Sequence, residues 1–159
     1  MNLSLRGNSR KEMEMEKKVE VTKIFTFDSA HSLVGYDGDC CRLHGHTYKL
    51  EVTVTKDPLV NGMVMDFKVL NQIVKDTIIS KLDHRNLNEV LFPMRTTAEN
   101  ISIWMLDILS ARLFGYSREK GWGNFSEITI SKIRLWETPN SFADAYYVNE
   151  EEGLCKNFQ

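Results

Sequence analysis

Two histidines separated by a glycine, His44-Gly45-His46, follow two adjacent cysteines, Cys40 and Cys41, and open a run in which apolar and polar residues alternate. Residues two apart on a strand point to the same side. Both imidazoles are therefore presented to one point, and Gly45 between them leaves room for close approach from the other face. Two imidazoles begin a zinc site, and a third ligand is needed to hold the ion. A His-x-His pair standing alone is more often a surface pair, so the rest of the inventory matters. The chain contains four histidines: His31, His44, His46 and His84. His31 ends an earlier alternating run, Val21 to His31, immediately before the turn-rich stretch Gly35-Tyr36-Asp37-Gly38-Asp39. A hairpin closed by that stretch brings His31 beside His44 and His46. Three histidines with an open fourth position is the pattern of a catalytic zinc ion, not of a closed structural one.

Further groups could supply proton chemistry. Cys40 stands four residues before His44 in a polar loop. A neighbouring dication favours thiolate, the form that acts as base or nucleophile; otherwise a free cysteine is usually a small buried apolar residue. Cys41 competes for the same role, and spacing does not choose between them. Asp83 beside His84 could hold that ring in one tautomer and make it a proton shuttle, or the two could be a solvated helix end. Glu137 ends a strand-like run. A carboxylate there could bind a guanidine-like ring edge through two parallel hydrogen bonds, or simply be solvated. Thr97 and Glu99 have a sufficient explanation as a helix cap.

The elements that must position these groups are legible from periodicity. Lys18 to His31 reads as a first strand and His44 to Thr55 as a second, with Tyr48, Leu50, Val52 and Val54 on one face. Lys56-Asp57-Pro58 and Asn61-Gly62 are turn punctuation, and Met63 to Phe67 reads as a short extended piece. From Val69 the spacing changes to three and four, so Lys68 to Leu82 is an amphipathic helix that runs into a polar loop over Asp83 to Asn88. Thr96 with Glu99 matches a capping box, so a second helix begins there and runs to about Phe114, with Gly115, Gly121 and Gly123 marking a loop. Ser126 to Glu137 is the third strand. Ile128 and Ile130 share one parity while Ile133 and Leu135 share the other, a slip near Ser131-Lys132 of the kind a β-bulge produces. Phe142 to Val148 is the fourth strand. The plan is α+β, β-β-α-α-β-β, with a four-stranded antiparallel sheet and two helices on one face. Such a sheet leaves its other face and its edges uncovered, which predicts an oligomer.

At 159 residues the chain is one domain, read as a flexible tail over 1–18, a catalytic domain over 19–149 and a polar tail over 150–159. A net charge of −2 argues against a field built for nucleic acid or anionic membrane. No apolar run approaches a bilayer span. The first twenty residues are charged and lack an apolar core, so no secretory leader is expected. Three cysteines, two of them adjacent and the third, Cys155, in a polar tail, do not make a disulfide framework. The expected setting is the cytoplasm.

With these residues assembled, the chain resembles the 6-pyruvoyl-tetrahydropterin synthase family. The pieces that carry the resemblance are Phe27-Asp28-Ser29-Ala30-His31, Cys40-x-x-x-His44-Gly45-His46, Leu82-Asp83-His84-Arg85-Asn86-Leu87, Thr97-x-Glu99-Asn100 and Trp136-Glu137-Thr138, in that order over about residues 20 to 148. The resemblance implies the tunnelling fold, a homo-oligomer that closes its sheets into a barrel, usually a hexamer of two stacked trimers, and active sites between subunits. It implies that His31, His44 and His46 hold zinc, that Cys40 is the catalytic cysteine, and that Asp83 and His84 of a neighbouring subunit assist it. It further implies that Glu137 anchors the pterin ring and that Thr97 and Glu99 form a second pterin contact. A cysteine four residues before the first histidine, as here, resembles the members that make 6-carboxy-tetrahydropterin for the queuosine and 7-deazaguanine route. The implied substrate is 7,8-dihydroneopterin triphosphate, and the implied products are 6-carboxy-tetrahydropterin, acetaldehyde and triphosphate. Arg42, Lys49 and Arg85 are candidates to meet the triphosphate. The alternatives are 6-pyruvoyl-tetrahydropterin synthesis by triphosphate elimination and, in another class, a zinc-holding structural module without turnover.

Overall fold

A computed structural model describes residues 17–148, apart from residues 58, 60 and 121–127. Most of the expected N-terminal tail, the C-terminal tail with Cys155, Gly121, Gly123 and the start expected for the third strand at Ser126 lie outside the described residues.

Strand β1 (Glu20–His31) pairs antiparallel with β2 (His44–Thr55) without a slip, from Glu20 opposite Thr55 to His31 opposite His44. Phe25, Phe27, Ser29 and His31 of β1 share the buried face with Tyr48, Leu50, Val52 and Val54 of β2. The register is held by that alternation, because a shift of one residue would turn the whole apolar set to solvent. Strand β4 (Thr129–Thr138) pairs antiparallel with β2, and β5 (Ser141–Ala145) with β4.

The bulge expected near Ser131 is present. Val54 pairs with Ile130 and Thr53 with Lys132, which leaves Ser131 unopposed. Past this point the inward parity of β4 changes, and Ile133 and Leu135 are fully buried. The same slip turns Glu137 toward the buried face.

Helix α1 (Phe67–Val74) passes through a π-helical turn (Lys75–Ile79) into α2 (Ser80–Leu82), close to the expected helix. The extended piece expected over Met63 to Phe67 is not a strand. Asp66 accepts a hydrogen bond from the Lys68 N–H at 2.7 Å and starts the helix at Phe67. Helix α4 (Ala98–Glu119) outruns the expected end at Phe114. Leu106, Leu109, Leu113 and Ser117 continue one buried row, and burial of that row outweighs the penalty of about 1 kcal/mol for Gly115 inside a helix. The helices cover the buried face of the sheet.

Among the described residues the sheet has five strands, not four: a short strand β3 (Arg85–Asn86) joins it, in the order β3-β1-β2-β4-β5. The polar loop expected over Asp83 to Asn88 instead contains β3 (Arg85–Asn86), parallel to β1, and a short helix α3 (Leu87–Val90). The His84 N–H donates to the Asp28 carbonyl at 2.6 Å and lays the chain along β1, while fully buried Leu87 draws α3 inward. The last strand ends at Ala145 and not at Val148. Beyond it the Tyr147 hydroxyl donates to Asp107 of α4 at 2.8 Å, which takes the chain off the sheet. On the other face Ile24 and Phe142 are exposed. No helix among the described residues is long and apolar enough to cross a membrane.

Candidate metal centre

The β1–β2 register sets His31 directly opposite His44 and one step diagonal from His46. The ring centroids are 4.6 Å apart for His31 and His44, 5.2 Å for His31 and His46, and 4.9 Å for His44 and His46. One nitrogen of each ring lies within 4.8 Å of the corresponding atoms of the other two, so the trio could hold a metal ion. Ligand nitrogens about 2 Å from a common ion fall within such spacings.

Ring orientation is fixed from behind. His31 Nδ1 lies 2.7 Å from the carbonyl of Thr96, and His44 Nδ1 lies 2.8 Å from the carbonyl of Arg42. A carbonyl only accepts, so both Nδ1 atoms carry hydrogen and both Nε2 atoms present lone pairs. The His31 and His46 Nε2 atoms are buried and meet no hydrogen-bond partner. Facing them is Glu137, whose Oε1 is 3.3 Å from His31 Nε2 and 4.0 Å from His46 Nε2. A carboxylate set against imidazole lone pairs is repulsive unless a proton or a cation lies between them. Burial holds His46 below the usual histidine range, partly offset by the Glu137 charge, so protonation is not the easy solution there. A bound cation satisfies all of these atoms, and the donor set fits zinc.

The loop between the strands is tied at its root. Ser32 N–H donates to Asn88 Oδ1 at 2.7 Å, and Asn88 Nδ2 donates to the Ser32 carbonyl at 2.8 Å and to Thr96 Oγ1 at 3.2 Å. Further along, Leu33 N–H donates to the Cys40 carbonyl at 2.8 Å, closing the loop over a single 3₁₀ turn, Asp39–Cys41. Cys40 is half-buried and Cys41 exposed, and neither is in a disulfide. The Cys40 sulfur is not among the atoms that converge with the histidines.

Asp83 and His84 lie elsewhere. Asp83 Oδ1 accepts from the Asp28 N–H at 3.0 Å and lies 3.0 Å from His84 Nδ1. The bond from Asp28, then the contact with His84, holds the Asp83 carboxyl below the usual carboxylate range. The pair stands with Asp28 and Thr47 on the face of β1 opposite to His31 and His46. Arg85 and His84 open onto a depression of about 500 Å³ there. Of the other candidate cations, Arg42 pairs with Asp39. Lys49 pairs with Glu51 at 2.8 Å over the Trp136 ring.

The start of α4 differs from the expected capping box. Thr97, not Thr96, caps it, accepting from Asn100 N–H at 3.4 Å. Thr96 is fully buried and serves the centre through its carbonyl and the Asn88 contact. Glu99 is exposed in the first helical turn. Asn88 is a supporting residue that the sequence reading did not single out.

Residues 20–147 match the sequence model of a family described as 6-pyruvoyl tetrahydropterin synthase. The chain is 37% identical over 149 residues to the 6-carboxy-5,6,7,8-tetrahydropterin synthase of Haemophilus influenzae, covering 79% of this chain and 96% of that protein. It is 34% identical over 112 residues to the dihydroneopterin monophosphate aldolase of Pyrococcus furiosus, covering 70% of this chain and 83% of that protein. The structure of Caenorhabditis elegans 6-pyruvoyl tetrahydropterin synthase superposes with a TM-score of 0.66 at 24% identity, over 83% of this chain and 97% of that one. At that identity the likeness is one of fold.

Proposed function

The chain belongs to the 6-pyruvoyl tetrahydropterin synthase family, and on that footing we propose that it is a zinc-dependent 6-carboxy-5,6,7,8-tetrahydropterin synthase. It would convert 7,8-dihydroneopterin triphosphate and water to 6-carboxy-tetrahydropterin, acetaldehyde and triphosphate. The observation that carries the reading is the convergence of His31, His44 and His46, with the buried Nε2 atoms of His31 and His46 facing Glu137. The spacing of Cys40 to His44, which resembles the carboxy-forming members, supports the choice of product.

Zinc held by His31, His44 and His46 would act as a Lewis acid toward the oxygens of the substrate side chain. Glu137, beside the trio, would anchor the pterin ring by accepting hydrogen bonds from its guanidine-like edge. Cys40 would move a proton at the side-chain carbons. Asp83 fixes the His84 tautomer through Nδ1, which leaves His84 Nε2 to exchange protons with that thiol. Because Asp83 and His84 face away from their own histidine trio, this step joins two subunits. Among the described residues, the uncovered sheet face and the unpaired edge of β5 support a homo-oligomer, as a dimer of trimers; a scattering mass equal to one 18.4 kDa chain would contradict it. Thr97 and Glu99, at the start of α4, remain the proposed second pterin contact. Glu137 remains the proposed anchor of the pterin ring. Free Cys40 and Cys41 suit a reducing, cytoplasmic setting.

The test is metal removal. Chelation should abolish consumption of dihydroneopterin triphosphate while circular dichroism shows the fold retained, and added zinc should restore turnover. A chain that unfolds on chelation and never consumes the substrate when loaded would instead be a structural zinc module.

A further inference from the structure

Arg42, Lys49 and Arg85 are the candidates for a triphosphate contact, and the structure separates them. The Arg42 guanidinium is paired with Asp39, and the Lys49 ammonium with Glu51 at 2.8 Å. The exposed Arg85 side chain has no ion pair or ring contact among the described residues. Its backbone is nonetheless fixed, because Arg85 pairs with Ser29 in the parallel ladder of β3 on β1. Just before it, His84 takes a left-handed conformation, φ 57°, which few residues other than glycine adopt. The Asp28 backbone holds that turn: its carbonyl accepts from the His84 N–H at 2.6 Å, and its N–H donates to the Asp83 carboxylate at 3.0 Å. Arg85 and His84 open onto the depression of about 500 Å³ on the outer face of β1 and β2. Its floor is nearly bare, since Ala30 lies directly opposite Gly45 and the pair contributes one methyl group. A glycine within a strand marks a place where another group approaches closely. The two carboxylates nearby are engaged by their own chain. Asp28 accepts from the Thr47 hydroxyl at 2.5 Å, and Asp83 meets the Asp28 N–H and His84 Nδ1, each at 3.0 Å. Arg85 is left as a cation of the depression without an acceptor.

We propose that Arg85 binds the phosphate chain of the substrate, in the active site to which its subunit lends Asp83 and His84. The inference rests on the reading of the chain as a pterin-triphosphate enzyme with shared active sites, and it names the residue that meets the anionic end. His84 serves the side-chain carbons, the phosphates are attached at the far end of that same side chain, and Arg85 follows His84 directly. A guanidinium presents a planar fork that meets two phosphate oxygens at once and keeps its charge at any working pH. The phosphates are held before and during the proton transfers, so the contact should appear in KM more than in kcat.

The test takes the zinc-loaded protein and measures two things: binding of inorganic triphosphate by calorimetry, and steady-state kinetics with 7,8-dihydroneopterin triphosphate. The variants are Arg85→Ala, Arg85→Gln, Arg42→Ala and Lys49→Ala. Arg85→Ala should weaken triphosphate binding and raise KM, each about tenfold, because one charge-assisted contact is lost. Its kcat and zinc content should change little. Arg85→Gln keeps most of the stem and removes the charge, and should show the same losses; it decides the matter if Arg85→Ala does not fold. Arg42→Ala and Lys49→Ala should stay near wild type. Wild-type triphosphate affinity and KM in Arg85→Gln would overturn the proposal, and so would a larger loss in Arg42→Ala or Lys49→Ala. A wild-type protein that does not bind inorganic triphosphate would overturn it as well. If the wild type binds triphosphate but consumes no dihydroneopterin triphosphate, the enzymatic reading has failed, and the binding loss in Arg85→Gln alone decides whether Arg85 is the anion contact.

Discussion

Replacing Asn88 by alanine tests how the centre is held without touching a ligand. Asn88 bridges the end of β1 to the residue before α4: it accepts from Ser32 N–H and donates to the Ser32 carbonyl and the Thr96 hydroxyl. Ser32 follows His31, and the Thr96 carbonyl orients the His31 ring. Each such hydrogen bond contributes on the order of 1 kcal/mol net, so complete loss would approach about 3 kcal/mol. Asn88 is half-buried, and water replaces part of what is lost, which leaves an expected destabilisation of about 2 kcal/mol. With a urea dependence of about 2 kcal/mol per molar, the unfolding midpoint should fall by about 1 M. Zinc affinity, measured by competition with a coloured chelator, should fall about tenfold because the His31 ring is no longer fixed. Asn88→Asp should be no better, since a carboxylate accepts from Ser32 N–H but cannot donate to the Ser32 carbonyl. If Asn88→Ala lowered stability but left zinc affinity unchanged, the clamp would serve only the fold. If neither changed, the reasoning from these hydrogen bonds would be refuted.

His46→Ala should lose most bound zinc, by more than the roughly 10–100-fold attached to a supporting group, and full metal content in that variant would remove the trio as the site. Cys40→Ala should keep zinc and fold but lose most turnover, whereas Cys41→Ala, which changes an exposed thiol, should retain most of it; the reverse pattern would undo the argument from spacing. The Arg134 guanidinium, bonded to Asp144 at 2.6 and 2.7 Å, holds the Asp144 carboxyl below the usual carboxylate range. A depressed folded-state pKa adds stability above the ordinary aspartate range and loses it as pH falls through the folded value. Asp144→Asn should therefore be less stable than wild type at pH 7, with the difference in urea midpoint shrinking toward pH 3; an unchanged difference would show that the pair contributes nothing through titration.

Much of the centre was legible because strands encode faces by parity. His31, His44 and His46 each fall on the apolar parity of their strand, so one hairpin sufficed to converge them. The bulge at Ser131 was legible for the same reason. The five-stranded sheet was not legible. Two residues, Arg85 and Asn86, are too short to show a period, and their pairing with Ser29 and Ala30 arises from tertiary contact. Thr96 was misread as the cap because Thr96 and Thr97 carry the same chemistry one residue apart; burial of Thr96 behind His31 decides which one turns to the helix. Asn88 acts through partners distant in sequence, and no local spacing announces those. Asp83 and His84 were visible as a pair, but only the sheet shows that they face away from their own histidines.

The most direct test of the central claim is to incubate the zinc-loaded protein with 7,8-dihydroneopterin triphosphate and measure acetaldehyde against triphosphate released. Both product readings expel triphosphate, but only the carboxy-forming reaction breaks the carbon–carbon bond that frees acetaldehyde. The account predicts the two in equal amounts, with neither formed after chelation. Triphosphate without acetaldehyde would contradict it and identify the product as 6-pyruvoyl-tetrahydropterin.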